Sequence, residues 1–225
     1  MFGSTKLKFI HFILTLNFKV LSMKMQDQDH GKDLLEIRAM MERSSKFVWL
    51  SGWAGIIAGF FALTGVYIAY AVMDFHPDTI DYSPANGMQP IMILGSVILA
   101  LAAASATLLS YNQAKNSRER LWNATSRRLL YNMAVPFLAG AMMILILIGK
   151  NLAGLAAPVS LVFYGLALYN ASKYTFEEVR VMGVVQILLG LAGLWFVQHS
   201  LLIWALGFGV VHIVYGIYIH IKYKR

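Results

Sequence analysis

Uncharged polar residues interrupt the apolar stretches in the second half of this chain at Asn132, Tyr164, Tyr169, Asn170, Gln186, Gln198, His212, Tyr215 and Tyr218. The candidates for a site among them are Tyr164, Asn170, Gln186, His212 and Tyr215. Imidazole, phenol and carboxamide groups both donate and accept hydrogen bonds, so together they could bind a small ligand, line a pore or hold a proton at a fixed atom. His212 and Tyr215 are three residues apart and share one face of a helix. Gln186 is the uncharged partner expected for His212 from a neighbouring helix. The plainer role for a lone histidine at depth is a hydrogen-bonded packing residue. Haem with two histidine ligands lacks its second ligand, because no other histidine falls at a similar depth.

The remaining chemistry-bearing residues point to little. Asp74, His76, Asp78 and Asp81 share one polar segment, and His199 falls on the same side of the chain's alternation. Oxygen ligands with one or two imidazoles suit a divalent cation. Their spacing matches no dedicated metal loop, so neither a metal nor any other cofactor is expected. There is no cysteine, which removes disulfides and thiolate chemistry. No HExxH zinc motif, GxSxG elbow or glycine-rich phosphate loop occurs. Ser105 and Ser160 stand in alanine-rich or proline-adjacent packing contexts. Thr175, with Glu178 three residues on, has capping-box spacing, which gives Glu177 and Glu178 a structural reason to sit at a helix start.

These residues are carried by six apolar runs, at 47–73, 91–111, 129–149, 152–170, 181–198 and 201–221, none of which contains Asp, Glu, Lys or Arg. Crossing about 30 Å of hydrocarbon takes about 20 helical residues, and the runs meet or approach that length. A barrel would alternate apolar and polar positions, so the fold class expected is all-α, a polytopic six-span transmembrane bundle. A chain 58% hydrophobic and 13% charged fits that class. The empty runs also exclude the usual ion-coupled carrier, which needs an intramembrane carboxylate, and a retinal Schiff base, which needs a lysine.

The net charge of +8 is a topology signal rather than a sign of nucleic acid. Basic residues collect before the first run, at 115–128, at Lys173 and Arg180, and at the C-terminus, whereas the opposite connections hold Lys150 alone. The positive-inside rule then places both termini in the cytoplasm and the connections 74–90, 150–151 and 199–200 outside. Residues 112–128 read as a short amphipathic helix on the inner surface, with Trp122 at headgroup depth. Asn123-Ala124-Thr125 matches a glycosylation sequon on that inner segment and is read as chance.

Residues 1–32 read as a flexible or mis-annotated segment, with translation starting at Met23 or Met25, because the apolar stretch 9–18 is too short to span. The membrane domain is 33–225. Its first element is expected as one helix over about 34–73, whose overhang 34–46 could dock a protein partner or a second copy. Gly52, Gly55, Gly59 and Ala62 form a small face on the first span. Ala100, Ala103, Ala104 and Thr107 form one on the second, so this hairpin is expected to close on itself. A pairing of Gly190 or Gly193 with Gly207, Gly209 or Gly216 of the last span would fit any function considered below. Pro136 and Pro158 are placed in early turns, where a missing amide costs least.

Two stretches carry a family likeness. Leu35-Glu36-Ile37-Arg38 with Met41-Glu42-Arg43-Ser44-Ser45-Lys46-Phe47 forms the first. Phe163-Tyr164-Gly165-Leu166-Ala167 leading into Asn170-Ala171-Ser172-Lys173-Tyr174-Thr175 forms the second. Over about 33–222 the chain resembles an uncharacterised family of small bacterial inner-membrane proteins. The resemblance implies class and location and carries no functional residues, though it draws attention to Tyr164, Asn170 and Lys173. The expectation is a non-enzymatic accessory, sensor or assembly subunit of the bacterial inner membrane. A transporter or channel for a small neutral or hydrophobic solute, lined by Tyr164, Asn170, Gln186, His212 and Tyr215, is the alternative. An intramembrane enzyme ranks third.

Overall fold

Apolar runs without charge must satisfy their own backbone in lipid, and the computed structural model shows them as helices. It describes residues 52–82, 84, 87–116, 122 and 124–223. Among these, six helices are long and apolar enough to cross a membrane: α1 (Gly52–Val72), α2 (Gln89–Lys115), α3 (Ala124–Gly149), α4 (Ala153–Tyr174), α5 (Glu177–Trp195) and α6 (Val197–Lys222). The overhang 34–46, the segment 1–32 and Asn123 of the sequon lie outside the described residues.

The helices outrun their apolar cores. Helix α2 continues to Lys115 and α3 is already helical from Ala124, so the described residues at either end of 112–128 belong largely to these two spans. Pro136 consequently lies well inside α3 rather than in its early turns, whereas Pro158 is the third residue of the α-helical stretch Ala156–Ala171. Helices α3 and α4 join in a tight turn because Asn151 adopts a left-handed backbone (φ 59°). The amides of Leu152 and Asn151 then bond back to Leu147 and Ile148 at 2.8 and 3.0 Å, which closes the end of α3.

Packing follows the small residues, though not between the expected pairs. The glycine face of α1 meets α6: a Cβ on Gly52 would lie 2.5 Å from the Gly216 carbonyl, and one on Gly59 would lie 2.6 Å from the Gly209 carbonyl. Ala100, Ala103, Ala104 and Thr107 of α2 are exposed, so the first hairpin does not close through them. Ile98 instead fills the space beside Gly65. Gly165 of α4 and Gly183 of α5 face each other's carbonyls, and Gly190 and Gly193 abut Pro158 of α4 rather than the glycines of α6. Dispersion between closely approaching backbones holds such pairs in lipid, where hydrophobicity contributes nothing between helices. The resulting order runs from α2 through α1 to α6, then to the α4–α5 pair and on to α3.

Span α6 is not a uniform helix. An α-helical turn (Ser200–Trp204) gives way to a π-helical stretch (Ala205–Val211) before α-geometry resumes at His212–Lys222. Helix α1 also ends in a π turn, Ile68–Val72. The glycines at 207 and 209 lie within the π stretch of α6, where the widened helix packs against both α1 and α5.

Candidate functional site

The polar residues of α4, α5 and α6 meet at the end of that π stretch. The Gly207 carbonyl accepts Gln186 Nε2 at 2.8 Å from α5 and lies 3.0 Å from His212 Nδ1. A carbonyl can only accept, so Nδ1 carries the proton. The neutral ring then has its lone pair at Nε2, which accepts the Tyr164 hydroxyl of α4 at 2.9 Å. The result is a closed sequence from Tyr164 through His212 to Gly207, with Gln186 joining at the shared carbonyl. Gln186 is fully buried and His212 nearly so. Gln186 is therefore linked to His212 through Gly207 rather than directly.

Glycine at 207 is needed for this arrangement. A Cβ there would come within 2.6 Å of Gln186 Oε1 and 2.5 Å of Leu161 Cδ2. In its place a Cα–H points at Oε1, a weak contact for an oxygen with no other partner.

A second bond ties α4 and α6 nearer their N-terminal ends. Trp204 Nε1 donates to Ser160 Oγ at 2.9 Å, and that hydroxyl donates to the Ala157 carbonyl at 2.6 Å. Ser160 and Tyr164 are four apart on α4, and Trp204, Phe208 and His212 recur every four residues on α6. Phe208 lies between the two bonds, its ring 4.7 Å from Trp204, 4.9 Å from Tyr164 and 5.6 Å from His212. Sequence reasoning missed Trp204 and Gly207 and gave Ser160 a packing role alone. The four-residue recurrence was the available signal.

Two sequence candidates stand apart. Asn170 is half-buried near the C-terminal end of α4 and hydrogen-bonds to none of the other four. Tyr215 packs beside Tyr164 against a cluster of Leu168, Phe176, Val179, Met182 and Ile219, but its buried hydroxyl finds no partner among the described residues.

Where α6 ends and α5 begins, the Glu178 carboxylate accepts Lys222 Nζ and, at 3.2 Å, the Tyr223 hydroxyl, pinning the two helices together. Just beyond α6, the Tyr223 hydroxyl is pushed above its ordinary pKa, first by burial and then by the charge of Glu178. The cap residue of the α-helix in α5 is Phe176, with no side-chain cap bond, and the Thr175 amide turns to the Ser172 carbonyl at 3.5 Å. At the opposite end of the helices, Phe75 and Pro77 are buried, and the buried Ser200 hydroxyl donates to the Pro77 carbonyl at 3.2 Å. His76 Nδ1 lies 3.2 Å from Asp74, and among the described residues no three His, Asp or Glu side chains gather as a metal set.

No protein family, curated protein or solved structure matches this chain.

Proposed function

We propose that the chain is a non-enzymatic accessory or assembly subunit of the bacterial inner membrane, with both termini in the cytoplasm. The observation that carries the reading is the position of α2. Among the described residues this 27-residue span has α1 as its one substantial neighbour, and no residue of its most apolar window is buried. A helix flanking the bundle in this way offers a partner helix a long face, and its small residues permit close approach. The polar groups of the core support the same reading, because the Tyr164 hydroxyl, both ring nitrogens of His212, the Gln186 Nε2 and the Gly207 carbonyl are spent on one another. The orientation rests on charge: Lys115, Arg127, Arg128, Lys173, Arg180 and Lys222 fall at one end of the helices, and Asp74, Asp78 and Asp81 at the other. The bacterial inner membrane rests on the family resemblance of 33–222.

The test is a photoreactive residue placed at Ala100 or Ala104 of the full chain in native membranes. One stoichiometric protein adduct is expected from both positions. Adducts to lipid alone from both would refute the reading. A conduit for a small neutral solute is favoured by two buried atoms without partners, Gln186 Oε1 and Tyr215 Oη. Under that second reading, Gln186→Leu and His212→Leu each abolish flux while expression holds, and unchanged flux in both ends it.

A further inference from the structure

The inner end of α3 combines features that the assembly reading does not use. Arg127 and Arg128 lie in its first turn, both exposed, and among the described residues neither makes an ion pair. Two other cations near the helix ends are already engaged. Lys222 is held by Glu178, and Arg180 bonds the Tyr169 hydroxyl at 3.1 Å with its guanidinium 5.2 Å from that ring. Beneath the arginine pair runs an apolar ridge. Tyr131, Val135, Leu138 and Met142 follow Arg127 at spacings of four, four, three and four, which places all five on one helical face. These four side chains are between 60% and 75% exposed. The opposite face of α3, which includes Pro136 and Gly140, is buried, and Gly140 abuts Phe163 of α4.

We infer that this face of α3 is a docking surface for an anionic diacyl phospholipid. The paired guanidiniums hold the phosphodiester, and the ridge from Tyr131 to Met142 carries an acyl chain. Charge complementarity selects the occupant. Two adjacent, unpaired guanidiniums at headgroup depth present planar donor forks that match phosphate oxygens. A zwitterionic headgroup offers the same phosphate but brings its own cation against the arginines. Tyr131, one turn below, sits where an aromatic ring bridges headgroup and hydrocarbon.

The experiment places the full chain in nanodiscs containing equal phosphatidylglycerol and phosphatidylcholine and measures the lipids retained by native mass spectrometry. Wild-type protein should retain phosphatidylglycerol with roughly fivefold to thirtyfold preference, the range for one to two favourable basic contacts at the surface. Arg127→Gln/Arg128→Gln should remove most of that preference, and the conservative Arg127→Lys/Arg128→Lys should keep part of it. Both sites are exposed, so circular dichroism and the melting temperature should not move. Lys115→Gln, at the end of α2, is the control and should leave the preference intact. Equal loss in the control would mean a diffuse basic rim and would overturn the assignment, as would an unchanged preference in the double glutamine variant. Water-soluble glycerophosphate should not displace the lipid. If it competes as well as the diacyl lipid, the ridge plays no part and the proposal fails.

Discussion

Adding one methyl group at Gly207 tests the core most sharply. Gly207→Ala would place a Cβ 2.6 Å from Gln186 Oε1 and 2.5 Å from Leu161 Cδ2. Gln186 and Leu161 are both 0% exposed, so neither side chain can swing into open space. Overpacking of this kind costs about 1–3 kcal/mol. If Gln186 retreats, its bond to the Gly207 carbonyl goes as well, adding about 0.6 kcal/mol on average and up to about 1.7 for a polar contact within a membrane bundle. The sum is about 2–4 kcal/mol, a large share of a typical folding free energy of about 5–15 kcal/mol. Reversible unfolding in mixed micelles measures it. Gly95→Ala is the internal control, because nothing lies within 4 Å of a Cβ there, and on an exposed helix it should be neutral or stabilise by up to about 1 kcal/mol. Gln186→Ala combined with Gly207→Ala should recover part of the loss by opening the contested space. If Gly207→Ala unfolds at the same midpoint as Gly95→Ala, the tight junction of α5 and α6 described above is wrong.

The remaining predictions test individual bonds. Nitrogen-15 spectra of His212 should show the proton on Nδ1, the less common neutral tautomer, because Nδ1 faces a carbonyl and Nε2 faces a hydroxyl; a signal from the Nε2-protonated form would contradict the network. His212→Leu should destabilise by about 1–3 kcal/mol by stranding the Tyr164 hydroxyl. A double-mutant cycle of His212→Leu with Tyr164→Phe should show coupling of about 0.6–1.7 kcal/mol, and additivity would mean that the pair does not interact. Gln186→Leu should cost less than His212→Leu, because it removes an unpartnered oxygen along with the bond; the reverse order in unfolding experiments would contradict this. Gly59→Leu should separate α1 from α6 and expose the protein to proteolysis between them, since the Cβ would meet the Gly209 carbonyl, which cannot rotate away as a side chain can; unchanged protease resistance would refute the contact.

The spans were legible because exclusion of charge over about 20 residues leaves few alternatives to a membrane helix. Their ends were less so. A helix does not stop where hydrocarbon stops, and α2 and α3 continue to Lys115 and back to Ala124 through polar sequence. Small residues marked where backbones approach, yet a glycine on α1 fits α2 or α6 equally well on paper. The choice depends on which large side chains must be accommodated elsewhere. At the candidate site, sequence singled out Tyr164, His212 and Gln186, and the structure connects all three. The shared acceptor was hidden, because a backbone carbonyl has no sequence signature and the π stretch that presents Gly207 has only its glycines to announce it. Asn170 shares the composition of the others but lies elsewhere on α4, because six residues turn a helix well away from the Tyr164 face.

The most direct test of an assembly role is native mass spectrometry of the full chain, extracted gently from its own membrane. The account predicts a particle containing this chain and a stoichiometric protein partner. A protein-free particle that reproducibly retains a small non-lipid molecule would contradict it and would direct attention to Gln186, His212 and Tyr215 as the lining of a solute site.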